Sequence, residues 1–211
     1  MTYGSPASLE RPDIAAYLAR VRGGRPADPD LVDEFARRYR LIGGSPLIQI
    51  TRRQAAALSS MLDWPVEVGM RFSEPSLAAG LGELRQAGVR RVAAIVLSPQ
   101  YSPLLMGGYA AAIDEARASL GDGSPEVAVA GAWHSEPAFV AALAGRIREA
   151  LAKLAPADRR GAHVLLTAHS LPRRVAEREP DYLAQLGATA DDVAAAAGLD
   201  ADAWTFCWQS A

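Results

Sequence analysis

His169 is the side chain that the sequence places best for chemistry. It sits in Leu165-Leu166-Thr167-Ala168-His169-Ser170-Leu171-Pro172, where an apolar run turns polar abruptly at its carboxyl end. A neutral imidazole there can take a proton or bind a metal near neutral pH. Position alone leaves a second reading, a histidine that merely caps the next helix. His163 lies at the amino end of the same run, on the wrong edge for a ligand, and reads as structural. His134 follows another apolar run at the favourable edge and reads as a residue that could support a ligand-binding group from behind. No His-x-x-x-His pair, paired-carboxylate motif or glycine-rich phosphate loop occurs. The absence of Gly-x-Gly-x-x-Gly argues against a dinucleotide site.

Cationic and aromatic side chains gather in other loops. Tyr3 lies in Tyr3-Gly4-Ser5-Pro6, Arg22 beside Gly23-Gly24, and Arg38-Tyr39 at the end of a helical pattern. Ser98-Pro99-Gln100-Tyr101-Ser102 follows a strand pattern, and Tyr109 opens the helix after it. The guanidinium fork binds both oxygens of a carboxylate at once, and flat aromatic faces suit a planar ligand. Taken singly, each reads first as a solvated arginine or a packed tyrosine; convergence on one edge would change that.

The elements that must position these residues alternate in type. Pro12 opens a helix with Ile14, Tyr17, Leu18 and Val21 on one face. Asp28-Pro29 is an N-cap with a proline at the first helical position, and Ser45-Pro46 repeats the signal for a third helix reaching about Met61. Val66–Met70, Val92–Leu97, Val127–Ala132, His163–Thr167 and Trp204–Trp208 read as strands, the one before His169 as a buried strand. Ser76–Ala87, Gly107–Leu120 and Pro137–Leu154 read as helices between them, and a further helix ends near Gly198. This alternation predicts an α/β protein with parallel strands covered on both faces and ligands at the strands' carboxyl ends. Two junctions nearly repeat, Arg71-Phe72-Ser73-Glu74-Pro75 and Trp133-His134-Ser135-Glu136-Pro137. Their glutamates read as carboxylates stabilised beside helix N-termini.

Bulk composition narrows the function classes. The chain has 211 residues, half of them hydrophobic, 22% charged, with a net charge of −2. That balance does not suggest a nucleic acid or an anionic membrane as partner. No apolar run reaches membrane-spanning length, and the N-terminus does not read as a signal peptide. The single cysteine, Cys207, excludes a disulfide framework or a cysteine-based zinc site within this chain, reads as a core thiol and suits a reducing, cytoplasmic home.

Several segments together resemble the ferrochelatase family. They are Tyr3-Gly4-Ser5-Pro6, Val21-Arg22-Gly23-Gly24-Arg25-Pro26, Arg38-Tyr39-Arg40-Leu41-Ile42-Gly43-Gly44-Ser45-Pro46-Leu47, Val96-Leu97-Ser98-Pro99-Gln100-Tyr101-Ser102, Thr167-Ala168-His169-Ser170-Leu171-Pro172 and Trp208-Gln209-Ser210. The resemblance implies a chelatase-like fold of two Rossmann-like parallel-sheet halves flanked by helices, with a porphyrin cleft between them. Residues 1–155 would form the first half and residues 156–211 the beginning of a second, incomplete one. It implies insertion of Fe²⁺ into a porphyrin with release of two protons, a step of haem biosynthesis. His169 matches the family histidine assigned to metal binding and pyrrole proton abstraction. Tyr3 matches the tyrosine of the branch that acts on coproporphyrin III, where it can ligate the product iron. Arg22, Arg38, Tyr39, Ser45 and Tyr109 match that branch's porphyrin contacts. The implied partners are coproporphyrin III and Fe²⁺, the latter as substrate; no resident cofactor is implied with certainty.

The sequence departs from the family pattern in three places. The family's first strand, expected before Tyr3, is missing. Gly43-Gly44-Ser45-Pro46 lacks a residue often found between glycine and serine, which bears on Ser45. The acidic partner of the histidine falls beyond the position equivalent to Ala211, as would any cysteines holding an iron–sulfur cluster. These departures mark the chain as a fragment, and predict that in isolation it is insoluble or marginally stable. The alternatives are a chelatase acting on protoporphyrin IX or, with cobalt, on a sirohydrochlorin-type ring, and a non-catalytic porphyrin- or haem-binding module.

Overall fold

The structure, a computed structural model, describes residues 1–171 and 173–209, apart from the side chains of Leu105 and Arg174. Pro172 and Ser210, both in motifs that carry the family resemblance, lie outside the described residues. The order is α1 (Arg11–Val21), α2 (Pro29–Leu41), α3 (Leu47–Leu62), α4 (Leu77–Gln86), β1 (Arg91–Ala94), α5 (Pro103–Leu120), β2 (Glu126–Val129), α6 (Pro137–Ala152), α7 (Pro156–Arg160), β3 (Val164–His169), α8 (Arg173–Arg178), α9 (Pro180–Ala197) and β4 (Trp204–Gln209). By contact the chain forms two compact units. One comprises Met1–Leu97 and Gly108–Ala130, the other Ser98–Gly107 and the residues from Gly131 onward. These units cut the chain differently from the halves 1–155 and 156–211, because α6 packs on α9.

Local chemistry sets the helix starts. The Asp28 carboxylate accepts the Asp30 N–H at 2.9 Å, and Pro29 supplies the first turn. The Ser76 hydroxyl accepts the Ala79 N–H at 3.2 Å, while Glu74 accepts the Ser76 N–H at 2.8 Å. Glu74 therefore acts as the capping carboxylate that its position suggests. Glu136 occupies the cap of α6 without a side-chain capping bond. The helix expected from Gly107 starts earlier, at Pro103, since proline is tolerated in a first turn.

In the first unit, β1 and β2 pair in parallel, Arg91 opposite Glu126 through Ala94 opposite Val129. The stretch Val66–Met70, expected as a strand, carries only isolated bridges, from Met70 to Thr2 and to Ser76. Its neighbour is short: Thr2 N–H donates to Gly69 O at 3.3 Å, and Arg71 N–H donates to Thr2 O at 2.9 Å. On its other side this N-terminal stretch joins the continuation of β1. The Met1 amino group donates to Ile95 O at 2.6 Å, and Leu97 N–H donates to Met1 O at 2.8 Å. Met1–Tyr3 thus runs between residues 69–72 and 95–97, where the sequence alone showed no strand ahead of Tyr3. Leu77, Leu81 and Ala116 pack with Val92 and Val127 over β1 and β2. Ile14, Tyr17 and Leu18 of α1 pack on Val32 and Ala36 of α2.

In the second unit, β3 and β4 pair in parallel from Val164 opposite Trp204 to His169 opposite Gln209. α6 packs against α9, burying Val140 and Ala144 on one helix and Val193 and Ala194 on the other. The expectation of a buried β3 is corrected. Burial alternates residue by residue, and Leu165 is 61% exposed. Side chains alternate across a strand, so a sheet covered on one face leaves every second residue in solvent. Leu165, Thr167 and His169 are those residues. Among the described residues no helix is long and apolar enough to cross a membrane.

Candidate functional site

Three of the tyrosines and one unexpected arginine meet in the first unit. Phe72 N–H donates to Tyr3 O at 3.0 Å, so Tyr3 and Phe72 end neighbouring parallel segments. Their rings lie 4.5 Å apart at a tilt of 60°. The Arg71 guanidinium carbon sits 4.6 Å from the Phe72 ring centre and 5.4 Å from that of Tyr109. Gly4, at φ +102°, approaches Ser73 so closely that a Cβ would lie 2.4 Å from the Ser73 hydroxyl. That hydroxyl accepts the Ser5 N–H at 3.2 Å, and the Tyr17 hydroxyl donates to Gly4 O at 3.2 Å. The loop carrying Tyr3 is therefore fixed from both sides.

Burial acts on all these phenols. It raises Tyr109, and raises Tyr3 although Tyr3 is 42% exposed; in both, the charge of Arg71 pulls the other way. Tyr39 is raised by burial, and Tyr17 most strongly, with Tyr39, Tyr3 and Tyr109 adding to the effect. Tyr3, Tyr39 and Tyr109, picked out separately in the sequence, thus surround Tyr17 closely enough to influence its ionisation.

The other candidates of this unit are placed differently. Arg38 is exposed and paired with Glu34 at 2.7 Å on α2. Glu34 also binds Arg37, and these hydrogen bonds hold its carboxyl down to about 2. Arg22 caps α1, exposed, with no carboxylate partner among the described residues. The half-buried Ser45 accepts the Leu47 N–H at 3.3 Å, so it serves the start of α3.

His169 belongs to the second unit. It ends β3, with its imidazole exposed and Nδ1 2.8 Å from the Ser170 carbonyl oxygen. A carbonyl only accepts, so Nδ1 carries the hydrogen and Nε2 of the neutral ring keeps its lone pair. The backbone beneath is held by Ser170 N–H donating to Gln209 O at 3.0 Å, and Gln209 donates to the Thr167 hydroxyl. The ring is thus presented as a proton acceptor or metal ligand through Nε2. His163 bonds Thr205 at 2.8 Å, as a structural residue would. His134 is half-buried, with Nδ1 unpartnered among the described residues. No group of three or more His, Cys, Asp or Glu side chains could hold a metal among the described residues.

Comparison with known proteins identifies the family. Residues 1–211 match the family model described as ferrochelatase. The chain belongs to the ferrochelatase family. It is 37% identical over 217 residues to a ferrochelatase of Deinococcus radiodurans, covering 100% of this chain and 68% of that protein. It is 33% identical over 221 residues to coproporphyrin III ferrochelatase 2 of Bacillus cereus, covering 100% and 66%. It is 31% identical over 219 residues to coproporphyrin III ferrochelatase of Anoxybacillus flavithermus, covering 100% and 68%. The chain therefore spans about two thirds of the length of these curated relatives. The family's reaction is metal insertion into a porphyrin, in haem biosynthesis. The fold is the α/β arrangement of such a chelatase, built here on two small parallel sheets.

Sequence reasoning passed over Arg71, Phe72 and Tyr17. Arg71-Phe72 lies inside a repeated junction whose clearest local signal is its glutamate. Tyr17 lies on an apolar helix face, where a tyrosine reads first as core.

Proposed function

We propose that the protein inserts Fe²⁺ into coproporphyrin III, giving coprohaem and two protons. The observation that carries this reading is the His169 ring, hydrogen-bonded through Nδ1 and with no partner at Nε2 among the described residues. A metal cannot enter the macrocycle while both pyrrole N–H groups remain. Nε2 takes a pyrrole proton as general base, hands it to solvent, and is free to act again. Tyr3 ligates the iron of the product. Arg22 and Arg38 bind propionates as fork-shaped cations, which requires Arg38 to share or leave Glu34. Tyr39, Tyr109 and Ser45 complete the porphyrin contacts. The names of the Bacillus cereus and Anoxybacillus flavithermus relatives support the coproporphyrin substrate.

A second reading, protoporphyrin IX as substrate, is left open by the Deinococcus relative, whose name specifies no porphyrin. The test is anaerobic Fe²⁺ insertion by the purified full-length gene product, comparing kcat/KM for coproporphyrin III and protoporphyrin IX. Coproporphyrin III should be preferred, and Tyr3→Phe should slow its turnover or alter the absorption spectrum of the bound product. Preference for protoporphyrin IX would overturn the substrate assignment. Tight porphyrin binding without insertion would instead indicate a non-catalytic binding module.

A further inference from the structure

The sequence offered Arg22 and Arg38 as the cations for an acidic porphyrin, but the structure puts a third arginine in a more confined place. Arg71 is half-buried, and its guanidinium faces the Phe72 and Tyr109 rings. Its tip lies against the backbone of α5 at Gly108. A Cβ built on Gly108 would fall 1.8 Å from Arg71 Nη2, so a side chain at 108 would displace the guanidinium. Rings and helix together restrict where this fork can point, which reduces the ordering cost of binding an anion.

Among the described residues its hydrogen-bonding capacity is unspent. A guanidinium carries five N–H donors. Among the described residues, no acceptor receives a hydrogen bond from the Arg71 side chain and no carboxylate forms an ion pair with it. Arg38, by contrast, is already engaged by Glu34. Leaving a half-buried cation without an acceptor is unfavourable, and aromatic faces offset only part of that. Arg71 also lies where a ligand would arrive. Its N–H bonds Thr2 O, and the ring of Phe72, the next residue, packs at a tilt against Tyr3 at the carboxyl ends of parallel segments.

We propose that Arg71 is a further ligand-binding residue, whose guanidinium receives a carboxylate of the tetrapyrrole. The proposal rests on the reading of the substrate as a carboxylate-bearing porphyrin. A planar fork held between aromatic rings suits a carboxylate at the rim of a flat macrocycle.

The test uses the purified full-length gene product without metal, with fluorescence titration of coproporphyrin III and of its tetramethyl ester, a ring of the same shape without charge. Arg71→Met should weaken coproporphyrin III binding about tenfold or more, the size expected for one charge-assisted hydrogen bond. It should leave ester binding within about twofold, as no such bond is lost there. Gly108→Ala, which keeps the arginine but pushes its tip aside, should weaken the free acid in the same selective way and guards against a folding defect in the first variant. Equal losses for acid and ester would show that Arg71 only packs the rings and would overturn the proposal. Unchanged affinity for the acid would do so as well. If wild-type protein bound neither compound, the porphyrin reading itself would fail, an outcome distinct from a change confined to the variants.

Discussion

The two compact units hold their candidate residues in opposite ways. In the first, Tyr3, Tyr39 and Tyr109 are partly or wholly withdrawn from water around Tyr17, and Arg71 is wedged between rings. In the second, His169 projects from the open face of β3, held by its backbone and one bond to the Ser170 carbonyl. Aromatic groups that must present a fixed surface to a ring gain from burial, because packing restricts their rotamers. A base that must take protons and release them to water gains from exposure, because its charged form stays solvated. Under the proposed function, the difference suits the first set to recognition and the second to proton transfer.

The largest effect that would break this comparison concerns the packing beneath each set. Ile14 is 0% exposed in the α1–α2 core. Ile14→Ala should cost about 3 kcal/mol in denaturant unfolding, the usual cost of a buried aliphatic truncation. Leu165→Ala, on the exposed face of β3, should change stability by about 0.5 kcal/mol or less. A comparable loss at Leu165 would show that this face is covered in solution.

An intermediate effect concerns alkaline pH. Burial raises the Tyr17 phenol above its ordinary value of 10.0, so the folded protein keeps a proton that the unfolded chain gives up. That contribution is complete below pH 10 and is lost as pH rises beyond it. The melting temperature should therefore fall above about pH 10, where the unfolded chain's tyrosines ionise. Tyr17→Phe should flatten this limb while losing the bond to Gly4 O. An unaltered limb in the variant would place the alkaline sensitivity elsewhere.

The smallest effect belongs to the exposed ion pairs. The low Glu34 carboxyl contributes above its ordinary value of 4.5 and loses that contribution as pH falls towards about 2. Solvent screens so exposed a pair, so Arg38→Gln should leave the neutral-pH melting temperature unchanged within experimental scatter. A clear drop would mean that the Glu34 cluster organises α2.

Much of the fold was legible because its signals are local. Asp28-Pro29, Ser76 and Pro137 mark helix starts through bonds and ring geometry within a turn, and the structure places helices there. Strands depend on what lies beside them. Val66–Met70 has the composition of a strand, yet its neighbour is the short stretch Met1–Tyr3 and no ladder extends along it. β3 has the apolar content of a buried strand, yet only one of its faces is covered. The candidate site divides in the same way. His169 and Tyr3 stand in contiguous motifs that can be read directly. Arg71 gains its setting from Gly108, distant in sequence, and no local pattern announces that contact.

The most direct test of the assignment of His169 is anaerobic Fe²⁺ insertion into coproporphyrin III by wild-type full-length gene product and by His169→Ala, with porphyrin affinity measured alongside. Loss of the base should reduce kcat by about a hundredfold or more, the range of general-base catalysis, while porphyrin affinity stays near the wild-type value. Unchanged kcat in His169→Ala would contradict the role given to His169.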